Sequence, residues 1–216
     1  VSILNYSVTS NHVHLIMRDI KRRDAIPQTM QLVAGRTGQE YNQRKNRKGA
    51  FWEDRYHATA VEEDIHLSQC MVYVDLNMVR AGVVTHPSEW PFCGYHEIQN
   101  PRRRYSLIDY DSLMDLFGIR SRDEFKKTYQ GWVAETLDKG AYREREGRWT
   151  ESIAVGGEGF IRDVKEKLGP KAMGREIAGA NGSYELREAT AAYAPVFDGQ
   201  NGDLRQKNAF FWDIST

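Results

Sequence analysis

Apolar and polar residues interleave near the start of the chain, in NYSVTSNHVHLIMRD (residues 5–19), and no helical stripe fits that stretch. Tyr6, Val8, Val13, Leu15, Ile16 and Met17 are β-branched, aromatic or aliphatic, so the stretch reads as a strand. Alternation then puts His12 and His14 on one face and Val13 on the other. Further on, Pro27 opens a helix with Met30, Val33, Thr37 and Tyr41 on one side. Tyr56, Ala58 and Ala60 within FWEDRYHATAV (51–61) suggest a second strand. From Glu62 to Gly82 the period is helical again, with Asp64 as cap and Gly82 as stop. Leu67, Met71, Val74 and Met78 form its apolar stripe, and His66, Gln69, Tyr73, Asn77 and Arg80 form an adjoining polar face.

Past residue 100 the pattern stays mainly helical. Asp109–Phe117 reads as a short helix. Ser121 opens another with Glu124 three positions on, and Phe125, Tyr129, Trp132, Val133 and Leu137 lie on its face. A turn at Gly156, Gly157 and Gly159 precedes a third helix, 160–168. The glycine-bearing segment 168–182 reads as loop, and Phe210, Phe211 and Trp212 read as an apolar plug for the core. The expected architecture is α+β: an antiparallel sheet with flanking helices over residues 1–100, then a mainly helical extension over 101–216.

Composition narrows the class. The chain has 216 residues, 40% hydrophobic and 28% charged, the profile of a globular protein with a real core. No apolar run approaches a membrane span and no signal peptide is visible, which points to the cytoplasm. Cys70 and Cys93 lack metal-ligand spacing and read as buried, reduced thiols. Net charge is zero but uneven: residues 1–57 carry ten Lys+Arg against five Asp+Glu, and 58–100 carry one against six. The basic N-terminal part is compatible with a phosphate-facing surface. Arg36, Arg44, Lys45, Arg47 and Lys48, followed by Trp52, suit a single strand, with phosphates on the cations and a base on the indole. A solvated helix end with Trp52 in the core explains the same residues, and the pattern does not choose.

Two imidazoles on one strand face, about 7 Å apart, can converge on a divalent ion. Tyr73 and Asn77, one helical turn apart, put a nucleophilic hydroxyl and a metal-capable amide on one face. Tyr41, Tyr56 and Tyr95 are rival hydroxyls; Tyr56 precedes the second strand and Tyr95 follows a Pro-containing loop.

The tracts SNHVHLI, FWEDRYHATAV, YVDLNMVRAGVV and HPSEWPFCGY, in that order, resemble the HUH single-tyrosine transposases, above all the REP-associated branch. The resemblance covers roughly residues 1–98. It implies a ferredoxin-like sheet, a divalent metal (Mg²⁺ or Mn²⁺) held by His12, His14 and Asn77, and Tyr73 as nucleophile. It also implies single-stranded or hairpin DNA as partner, a covalent 5′-phosphotyrosine intermediate and a homodimer as one possible assembly. Family members begin with a strand and helix before the strand of the His pair, so the chain reads as lacking that segment. The competing readings are a relative that binds nucleic acid without cleaving it, and a purely structural protein.

Overall fold

The computed structural model describes residues 1–19, 24–140, 142–180 and 182–188. Phe210, Phe211 and Trp212 lie outside these residues. Strands β1 (Ser2–Val8) and β2 (Val13–Arg18) pair as an antiparallel hairpin. Residues 5–19 are therefore not one strand. Thr9, Ser10 and Asn11 are turn formers, and the Thr9 N–H closes the turn on the His12 carbonyl at 3.0 Å. A strand thus does precede the one bearing His14. β1 is the inner strand, with Leu4, Asn5, Tyr6 and Ser7 all buried.

Helix α1 (Ala25–Arg44) contains no buried residue. Its half-buried row is Ile26, Met30, Ala34, Gly38 and Asn42, whereas Val33, Thr37 and Tyr41 of the expected face are exposed. The row is chosen by what covers it. Gly38 leaves only 3.4 Å between a built Cβ and the Phe51 Cβ, and the Trp52 indole donates to the Ala34 carbonyl at 3.0 Å.

The second expected strand shrinks to β3 (Ala60–Val61), which pairs in parallel with β4 (Ala154–Gly156). The helix expected over 62–82 is two pieces, α2 (Ile65–Asp75) and α3 (Asn77–Arg80), parted at Leu76. Asp64 occupies the cap position at φ 61° but its side chain makes no cap bond. Gly82, at φ 69°, adopts the left-handed turn that ends a helix without Cβ strain.

The remaining helices are α4 (Gly94–Gln99), α5 (Tyr110–Phe117), α6 (Arg122–Asp138) and α7 (Glu158–Leu168). Two start as their sequence predicts: Asp109 accepts from the Ser112 N–H at 3.0 Å, and Ser121 from the Glu124 N–H at 3.1 Å. Residues 168–182 are not all loop, because β5 (Arg175–Ala180) pairs with β6 (Ser183–Glu188) as a hairpin. Gly182, at φ 81°, sits in its turn. The second sheet runs β3-β4-β6-β5. The molecule is thus α+β, with a two-stranded antiparallel hairpin under its helices and a second sheet built largely from the C-terminal part.

One core crosses residue 100. Leu4 and Tyr6 of β1, Met71 of α2 and Ile98 of α4 pack with Leu113 of α5 and Phe125, Tyr129 and Val133 of α6. At its centre the buried Asp75 carboxylate accepts from Asn5 Nδ2 (3.0 Å), the Tyr95 N–H (3.0 Å) and the Tyr129 hydroxyl. Burial pushes Asp75 up to about 6, and those donors limit the rise. Among the described residues no helix is long and apolar enough to cross a membrane.

Candidate metal and nucleophile site

His12 ends the hairpin turn, and its ring is held from behind. Nδ1 lies 2.8 Å from Asn11 Oδ1 and 3.0 Å from Thr9 Oγ1, which turns Nε2 toward Asn77 Oδ1 at 3.3 Å. His14, in β2, sets its Nε2 3.1 Å from Asn77 Nδ2. The two rings meet edge-to-face with centroids 5.0 Å apart. Asn77, the first residue of α3, therefore bridges both imidazoles. Burial first, then the charges of His12, Arg80 and Arg145, push His14 down to about 4. It is neutral at physiological pH, and its Nε2 lone pair accepts from the Asn77 amide.

These residues fit a divalent ion. In the tautomer whose Nδ1–H donates to Asn11, His12 Nε2 and Asn77 Oδ1 face each other as two acceptors. Their 3.3 Å separation is close to that of neighbouring ligands of one small cation, about 3 Å for bonds near 2.1 Å at right angles. An oriented second nitrogen is also the usual backing of a ligating histidine. Among the described residues no three His, Cys, Asp or Glu side chains gather as a metal group, so any site here uses two imidazoles and an amide.

Tyr73 lies one turn before Asn77, on α2. It is only 7% exposed and packs with Cys70, Val74, Trp149 and Val155. The Arg80 guanidinium sits 4.1 Å above its ring, and the Trp149 ring centroid is 6.3 Å away. The adjoining face of α2 is thus not solvated: His66 and Tyr73 are buried and Gln69 alone is exposed. Its cover comes from residues 149 and 155, too distant in sequence for a local period to reveal. Tyr73 and Arg80 also line a cavity of about 520 Å³, walled on the far side by Trp132, Lys139, Tyr142 and Arg148. His12, His14 and Asn77 do not line it.

The expected DNA-facing residues separate into two groups. Arg36, Lys45 and Lys48 are exposed, and among the described residues their side chains make no ion pair. Arg44 pairs with Glu40 at 2.8 Å, and Arg47 donates to the Ala50 carbonyl at 2.9 Å. Trp52 is half-buried, with its indole N–H occupied and Phe51 edge-on at 4.9 Å. Two features of the site have no place in the sequence expectation: Thr9 and Asn11, which hold His12, and Trp149, which covers Tyr73. The turn formers Thr-Ser-Asn before His12 are a signal for the first; nothing local marks Trp149.

The glycine turn before α7 is not a phosphate loop. Glu62 reaches it, its carboxylate accepting the Gly157 N–H at 2.6 Å. A Cβ at Gly156 would stand 2.8 Å from Glu62 Cβ and 2.5 Å from the Phe160 ring. The chain's own carboxylate fills the helix N-terminus.

The protein is therefore an α+β chain with a polar cluster between a hairpin and a helix pair. Residues 1–77 match the family described as IS200-like transposases. The matched segment contains His12, His14, Tyr73 and Asn77. No curated protein and no solved structure matches the chain.

Proposed function

We propose that the protein nicks and rejoins single-stranded or hairpin-bearing DNA with Tyr73 as nucleophile, in a divalent-metal-dependent reaction. The observation that carries this reading is Asn77 bridging His12 and His14 at 3.3 and 3.1 Å, one helical turn from Tyr73. His12, His14 and Asn77 would hold Mg²⁺ or Mn²⁺, with mixed nitrogen and oxygen donors favouring Mn²⁺. When bound, the ion supplies charge for a scissile phosphate. The Tyr73 oxygen forms a bond to phosphorus, its proton is lost, and the 3′ oxygen leaves as a hydroxyl. The 5′ phosphate stays on the tyrosine, so the bond energy is kept and the 3′-OH can rejoin it. Arg80 holds the phenol ring and brings a positive charge to the same spot. The domain from 1 to 100 would carry the chemistry, alone or with a second copy, and 101–216 would support it.

A second reading has its own support. Tyr73 is buried beneath Trp149 and opens onto a cavity that the His pair does not line, which suits a protein that binds nucleic acid without cutting it. A hairpin-bearing oligonucleotide incubated with and without Mn²⁺ separates the two. Nicking expects a covalent protein–DNA band that needs metal and disappears in Tyr73→Phe while binding persists. A salt-dependent shift with no covalent band at any metal concentration overturns it in favour of binding alone.

A further inference from the structure

The run Pro101-Arg102-Arg103-Arg104-Tyr105 belongs to neither the metal cluster nor the basic end of α1. Its two ends are tied to one buried carboxylate. Glu97 Oε1 accepts from Ser106 Oγ (2.9 Å), the Leu107 N–H (2.8 Å) and the Ile108 N–H (3.1 Å). Glu97 Oε2 accepts from the Tyr6 hydroxyl at 2.9 Å and faces Arg102 Nε at 3.6 Å. Between these anchors the loop tip points outward. Tyr105 is 91% exposed and stands at φ 58°, a left-handed backbone that a bulky side chain adopts only where its surroundings impose it. Arg103 and Arg104 are exposed, and among the described residues neither makes a hydrogen bond or ion pair. A large ring held in water on a strained backbone, beside two free guanidinia and no acid in the run, has no folding purpose in view.

We propose that Arg103, Arg104 and Tyr105 form a second contact for the nucleic-acid strand, outside the family-matched segment. The guanidinia take two successive backbone phosphates as bidentate donors, and the Tyr105 ring stacks on an unpaired base. Residues 101–105 carry three positive charges and no negative one, which fits a polyanion, and the ring one residue on fits its bases. The inference takes its ligand from the proposed function but not its chemistry, so the two fail separately.

The experiment measures affinity of the full chain for a hairpin oligonucleotide with a single-stranded tail, across salt, in the Tyr73→Phe background. Arg103→Gln with Arg104→Gln should flatten the log–log salt slope by about 1.4, two phosphates at 0.7 each on a single strand. Tyr105→Gly should weaken binding roughly tenfold or more with the slope unchanged. Glycine relieves the left-handed strain, so this variant should melt at the same temperature or higher. Unchanged affinity and slope in both variants overturn the proposal, even if the wild type forms its adduct. Equal losses on a blunt duplex overturn the stacking of Tyr105. A slope change in a protein whose wild type forms no adduct leaves this second contact standing and removes the nicking reading.

Discussion

Asn77 is the residue on which the proposed site turns, because among the described residues its amide approaches both imidazoles within 3.3 Å. On the proposed function Asn77→Ala removes a ligand and should weaken Mn²⁺ binding, read by titration calorimetry, with little change in melting because the residue is half-exposed. On the proposed function Arg80, 4.1 Å above the Tyr73 ring, acts through Tyr73. Its removal in Arg80→Gln should slow adduct formation while DNA affinity falls far less, the mark of a positioning residue. Glu97 contributes to acid stability. Burial by itself would raise its carboxyl, but the N–H groups of Ile108 and Leu107 and the hydroxyls of Tyr6 and Ser106 hold it below the usual carboxylate range. A depressed folded pKa contributes stability that is present above the unfolded value, near 4.3, and is lost as pH falls through the folded one. Glu97→Gln should cost on the order of 3 kcal/mol near neutrality and flatten the loss of stability below about pH 4, both read from denaturant melts.

At the scale of elements, α1 is the least anchored, with no buried residue and its covering row formed against Phe51 and Trp52. Trp52→Ala should raise amide exchange across 25–44 while the global melt moves little, since the main core lies elsewhere. Neutralising Lys45, Arg47 and Lys48 should flatten the salt slope of single-strand binding by about 0.7 for each phosphate that the helix end no longer neutralises. If α1 is only a solvated helix, that slope stays put. Gly94 opens α4 directly against Asn5, where any Cβ would overlap the Asn5 amide and approach the Tyr6 nitrogen at 3.3 Å. Gly94→Ala should lower the melting temperature of the whole chain, because Asn5 is part of the buried Asp75 network.

Over the whole molecule, α6 completes the core and the 149–155 segment covers Tyr73. A chain cut after residue 100 is without Phe125, Tyr129 and Val133 in that core, and Asp75 is without one of its donors. It should lose its cooperative thermal transition, as followed by circular dichroism. What the sequence determined by itself was local. Side-chain periodicity marked α2, and Ser121 announced the helix that it caps; Tyr73 and Asn77, read as one turn of a single helix, fall on either side of the break at Leu76. His12 and His14 were legible as a pair from their spacing, although His12 stands in the turn just before β2 and not in the strand that the alternation argument assumed. What the tertiary structure decided was everything that depends on distant partners. The hairpin turn at 9–12 was hidden because flanking apolar residues matched a continuous strand. β3 took β4 as its neighbour, Ala60 against Ala154, because ladder partners leave no local period. Tyr73 became buried because Trp149 and Val155 arrive from the C-terminal part. Local propensity is written residue by residue, whereas packing is a property of which surfaces meet.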